Sequence, residues 1–160
     1  MPSYPSPSRS LRAALMVVGL LAGGAAIGEA SAEEPMRLQS AYPFSETISR
    51  LRSAIEGGGL TIFATIDHRA AARSVGLDMP PATVLIYGNP KGGTPLMVAA
   101  PDFALELPLR VLIREGDQGR TFVTFNRSTS LEGKHGLPNG MAARLAPAEK
   151  LIVGAVAAPN

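Results

Sequence analysis

No cysteine occurs anywhere in the 160 residues. Disulfides, a thiolate nucleophile and a thiolate metal site are therefore excluded, and any core must hold without cross-links. Histidine is nearly as scarce: His68 and His135 are the only two, with 66 residues between them. No short-spaced histidine pair of the kind a zinc site uses is present. Asp67 or Asp78 would have to complete a metal site with them, and Met79, Met97 and Met141 are too scattered to capture a soft metal, so no metal and no cofactor are expected. Concentrated charge is missing too. Twelve arginines set the high pI, but acids lie among them and the formal net charge is only +2. The close basic pairs are Arg50/Arg52, Arg69/Arg73 and Arg110/Arg114. Binding a phosphate backbone needs clustered charge, so nucleic acid is not an expected partner.

What is present first is an export pattern. Arg9 and Arg12 precede Ala13–Gly28, which carries no charge, and Ala30-Ser31-Ala32 has the small-x-small form of a cleavage site. Sixteen helical residues would span about 24 Å, short of the roughly 30 Å hydrocarbon core. A signal peptide over residues 1–32 is expected, with an uncleaved anchor as the alternative. The leader holds Arg9, Arg12 and Glu29, a net of +1, so residues 33–160 keep +1 of the chain's +2. They amount to one ordinary domain, periplasmic or secreted, with no stable membrane span after cleavage.

Met36–Tyr42 alternates apolar and polar residues and is expected as a strand. Ser45 is placed as the cap of a helix whose stripe is Phe44, Ile48, Leu51 and Ile55, ended by Gly57-Gly58-Gly59. Leu60–Ile66 is rich in β-branched residues and predicts a second strand. Asp67 then caps a short helix, His68–Val75. Pro80-Pro81 precede the apolar strand Ala82–Tyr87, expected to be central. Thr94 and Pro95 are placed as cap and first residue of the next helix, with Leu96, Met97 and Ala100 facing inward. Leu107–Arg114 and Arg120–Asn126 form strands joined by a five-residue loop. Residues 128–140 read as loop with one turn near Leu131. Pro147 starts a last helix through Val156, burying Leu151, Ile152 and Val156. The order β-α-β-(α)-β-α-β-β-α predicts a single α+β domain over residues 33–160, with an antiparallel-rich sheet and helices mainly on one face.

Several motifs, taken in order, resemble the domain-of-unknown-function-302 family. They are Ile66-Asp67-His68, Ala71-Ala72, Val75-Gly76-Leu77, Pro80-Pro81, Val84 through Pro90, Thr94-Pro95-Leu96-Met97 and Leu107-Pro108-Leu109-Arg110-Val111. The match runs from about Leu38 to Gly136. It departs from the pattern at Glu106, where aspartate is expected, and the tail after Gly140 lies outside it. The resemblance implies a small α+β domain and a homodimer, and no settled activity.

Asp67 and His68 sit at a strand-to-helix junction, where a histidine can shuttle protons. Arg110 faces away from Leu109 and Val111 and is available to an acidic ligand. Each also has a plainer role, as cap, first-turn residue and exposed strand arginine. Gly88–Thr94 lacks the spacing of a P-loop, but its amides, with Asn89, Lys91 and Thr94, could hold a ligand; the plainer role is a tight turn. Ser128, Thr129 and Ser130 lack a nucleophile elbow. Three functions follow. The first is a non-catalytic module that binds a small ligand or a partner. The second is a small hydrolase or isomerase using His68, Asp67 and Arg110. The third is a structural dimer that docks partners.

Overall fold

The computed structural model describes residues 34–159; the expected signal peptide lies outside them. Five strands form one antiparallel sheet in the order β1-β5-β4-β3-β2. They are β1 (Met36–Gln39), β2 (Thr61–Asp67), β3 (Ala82–Gly88), β4 (Leu109–Glu115) and β5 (Thr121–Phe125). Four helices accompany them: α1 (Phe44–Gly57), α2 (His68–Ser74), α3 (Pro90–Ala99) and α4 (Ala146–Val156). The expected α+β architecture is present, and β3 is an interior strand with a partner on each side.

The register explains why one sheet face is sealed. Side chains alternate along a strand, so Leu85 and Tyr87 on β3 align with Val111 and Leu109 on β4, and Val111 and Ile113 with Phe125 and Val123 on β5. Against this row pack Leu51 and Ile55 of α1 and Ile152 and Val156 of α4, all buried. The stripe expected on α1 is thus real, and the last helix is part of the core. A second apolar cluster closes one end of the sheet, joining Leu96 and Ala100 of α3 to Phe103, Leu131, Leu137 and Leu145. On the opposite face Val84, Ile86, Arg110, Leu112, Arg114 and Thr124 are half-buried or exposed, while Ala82 and Phe122, in register with Arg114, are buried.

Two helix starts differ from the sequence expectation. α1 begins at Phe44 with Pro43, not Ser45, in the cap position. Thr47 holds this start from inside: its hydroxyl donates to Tyr42 O at 3.0 Å and shares a 2.8 Å bond with Ser40 Oγ. α3 begins at Pro90, not Thr94, because Asn89 Oδ1 accepts from Lys91 N at 2.8 Å. Either proline could start a helix, and the asparagine cap decides for the earlier one. Pro95 then lies inside the helix, where it has no N–H to donate. The β4–β5 loop turns through left-handed Gln118 and Gly119, φ 61° and 69°, closed by Gly116 N donating to Arg120 O at 2.8 Å.

Ile152 has no exposed surface. Ile152→Ala should cost about 2–5 kcal/mol, because the cavity adds to the lost transfer energy. A urea midpoint close to that of the unaltered protein would show that α4 is peripheral.

Candidate functional site

Where β3 ends, Gly88 leads into Asn89. The asparagine is fully engaged, with Oδ1 capping α3 and Nδ2 donating to Gly59 O at 3.0 Å. It therefore fixes the turn against the segment between α1 and β2. Behind the turn lies a pocket of about 170 Å³, lined by Phe63, Gly88, Asn89, Pro90, Gly93, Thr94, Met97, Leu107 and Pro108. Phe63 stands at a bulge in β2, the register slipping between Ile62 and Ala64. Glycines keep the space open. A Cβ on Gly93 would come within 3.3 Å of Leu107 Cδ1, and one on Gly88 within 3.5 Å of the Phe63 ring. With Asn89 committed to the backbone, Thr94 is the remaining polar side chain in the lining, so recognition here is by shape and apolar burial. On its other side the same turn borders a recess of about 230 Å³ that reaches Arg144 and Leu145.

A polar cleft lies at the same end of the sheet. Glu106 Oε1 accepts from His135 Nε2 at 3.0 Å and lies 3.6 Å from Lys134 Nζ. His135 adopts a left-handed backbone, φ 51°, which is uncommon outside glycine. Glu149 Oε2 accepts from Ser128 N and Ser128 Oγ at 3.0 and 3.1 Å. Tyr87 borders both groups. Burial pushes its phenol above the ordinary value of 10.0, and the Glu149 carboxylate adds in the same direction. The two cavities among these residues measure about 30 and 10 Å³, room for single waters and not for a substrate. These contacts hold the segment after β5 against the sheet. A larger trough of about 580 Å³ between α1 and α4 is open along its length; Arg50 on its wall already pairs with Glu46 and donates to Ala155 O.

The residues singled out in the sequence separate. Asn89 and Thr94 line the apolar pocket, while Lys91 lines neither recess beside the turn. Asp67 accepts from Ala70 N at 2.9 Å as the α2 cap, and with His68 it lines none of the cavities above. Asp67 aligns with Thr83, in the row facing the helices, whereas Arg110 aligns with Ile86 on the opposite face. Three residues along β3 and two strand spacings put their backbones about 14 Å apart. Asp67, His68 and Arg110 are not gathered around one substrate. Asp78 is engaged by Arg69 and Arg73, and its hydrogen bond from Arg69 holds it below its ordinary carboxylate value of 3.8, while His135 pairs with Glu106. Among the described residues, no group of three or more metal-ligating side chains comes together. Sequence reasoning missed the pairing of Glu106 with His135, which no short spacing announces. It also missed Phe63 and Pro108, which only the sheet brings to the Asn89 turn.

The chain belongs to the family described as domain of unknown function DUF302, whose model matches residues 36–157. The match takes in the last helix, beyond the motifs visible in the sequence. A solved structure, an uncharacterized conserved DUF302 protein from Bacillus stearothermophilus, superposes with a TM-score of 0.67 at 20% identity, covering 78% of this chain and 97% of that one. At that identity the likeness is one of fold. Two curated relatives are named fluoride-specific ion channel FluC 1. That of Brucella suis biovar 1 (strain 1330) is 35% identical over 100 residues, 62% of this chain and 39% of its own length. That of Brucella abortus biovar 1 (strain 9-941) is 35% identical over 100 residues, 37% of its length. The chain thus spans under two-fifths of these relatives.

Tyr87 generates a pH prediction. Above pH 10.0 the unfolded tyrosine ionises while the buried one stays neutral. The unfolded state then binds fewer protons, so this contribution is intact at lower pH and is lost as pH rises. The limiting slope is about 1.4 kcal/mol per pH unit. Tyr87→Phe should therefore flatten the alkaline limb of stability, measured by denaturant midpoints between about pH 9 and pH 11. Equal slopes in the two proteins would show that Tyr87 is solvated.

Proposed function

We propose that this domain is a non-catalytic binding module, working outside the cytoplasm, that takes a small apolar group into the pocket behind the Asn89 turn. The pocket itself carries the reading: a space built by two glycines, a bulged strand and a proline, with almost no polar demand on its occupant. At about 170 Å³ it suits one aromatic ring or a branched aliphatic group; an engineered apolar cavity of roughly 150 Å³ binds benzene. The occupant is then a small molecule or the apolar end of a larger one. The polar groups nearby serve to hold loops, so no reaction is assigned. The channel activity in the relatives' names is that of much longer proteins and forms no part of this reading.

A second reading, self-association, rests on β2 and α2. β2 is an edge strand, and α2 buries none of its residues. Along this arm Phe63, Val75 and Leu77 are 51%, 72% and 66% exposed. Unpaired edge groups next to apolar side chains favour strand addition, and a second copy supplies the matching edge by two-fold symmetry. Light scattering on size-exclusion fractions should then give twice the chain mass, and Ile66→Lys should halve it. A monomer at every concentration ends this second reading.

The pocket is tested by titrating the full chain with benzene and following the Met97 methyl signal by NMR. A saturable shift is expected. Gly93→Ala puts a methyl group beside Leu107 while favouring helix by up to about 1 kcal/mol, so the fold persists as the pocket shrinks. Binding should weaken about tenfold, the effect of about 1.4 kcal/mol. A Met97 signal unmoved by benzene, or equal binding by the variant, removes the pocket as the receptor.

A further inference from the structure

On the face of the sheet away from α1 and α4, one aromatic ring collects three cations. The guanidinium carbons of Arg37, Arg114 and Arg120 lie 4.3, 5.0 and 5.8 Å from the centre of the Phe122 ring. The register builds this cluster from three separate segments. Phe122 aligns with Arg114 on β4 and with Gln39 on β1, Arg37 stands two residues before Gln39, and Arg120 two before Phe122. Phe122 is only 9% exposed although α1 and α4 pack on the other face; the arginine stems are part of its cover. The ring is also seated from below. A Cβ on Gly116 would fall 2.6 Å from Phe122 Cε2, so glycine is what lets the ring lie there.

These charges are not balanced within the domain. No carboxylate among the described residues forms an ion pair with any of the three. The hydrogen bonds of this cluster go to backbone carbonyls, Arg114 Nη1 to Glu115 O at 3.5 Å and Arg120 Nε to Asp117 O at 3.2 Å. Glu115 alternates with Arg114 along β4, which directs its carboxylate to the opposite face. Three like charges around one ring repel over distances comparable with the Debye length of roughly 8 Å, so salt relieves them only in part. A compact anion between them would reverse the sign of that energy. Guanidinium forks match tetrahedral oxyanions and can each give two hydrogen bonds.

We propose that the arginine-ringed surface over Phe122 is a binding site for a phosphate group, free or carried on a lipid headgroup. It is separate from the pocket behind the Asn89 turn and does not depend on it. The full chain is titrated with inorganic phosphate at about 50 mM salt, where screening is weak, following the arginine Nε–Hε signals by NMR. It is then sedimented with phosphatidylcholine vesicles, with and without phosphatidylglycerol. In the first arm, Arg37, Arg114 and Arg120 should shift together and saturate. The R37Q/R114Q/R120Q protein should lose that response, and R114K, which keeps the charge but not the fork, should weaken binding about fivefold. Arg110→Gln, on the same face but outside the cluster, should bind as the unaltered protein does. Saturation by inorganic phosphate identifies a free phosphate group; a phosphatidylglycerol-dependent gain that the Gln variant loses identifies the headgroup. The proposal is overturned if neither arm responds, or if the Gln variant and R114K both match the unaltered protein. An equal loss in Arg110→Gln also overturns it, as a mere effect of net charge.

Discussion

Everything in this domain depends on the packing of α1 and α4 side by side on one face of the sheet. Leu51 and Ile55 from one helix and Ile152 and Val156 from the other meet a single row of strand side chains, and together they form the main core. Burial of this kind scales with apolar area, and both helices spend their apolar stripes on the same face. The consequence is asymmetry. The other face keeps its own side chains as its cover, and this is where the arginine cluster lies.

Much of that architecture was legible in the sequence because it rests on local rules. The period of the α1 stripe, the alternation in β4, the glycine-bearing loop before β5 and the Asp67 cap each declare themselves within a few residues. The start of α3 was less legible, since Pro90 and Pro95 both have a residue before them that can cap, and Asn89 wins through a second bond to Gly59 that lies 30 residues away. The Ser45 cap failed for a similar reason: Thr47, buried and bonded to Ser40, sets the helix start from within.

The sites were far less legible. Asn89 caps and Thr94 lies within the helix that the glycine-rich stretch turned out to begin, but Phe63, Met97 and Pro108, which complete the pocket, come from a bulge, further along that helix and a strand entrance. Glu106 and His135 meet only because the segment after β5 returns to the sheet end. The basic residues looked dispersed along the chain, and Arg37, Arg114 and Arg120 are indeed scattered by sequence. Antiparallel pairing of β1, β5 and β4 converts that dispersion into one cluster.

One small contact has a larger bearing. Val156 O, at the end of α4, accepts from Ala41 N, just beyond β1, and Arg50 on α1 donates to Ala155 O. The beginning and the end of the domain therefore secure each other. α1 can meet the strands first, but it gains the helix that packs beside it only once residues 146–156 are available, so the main core closes late along the chain.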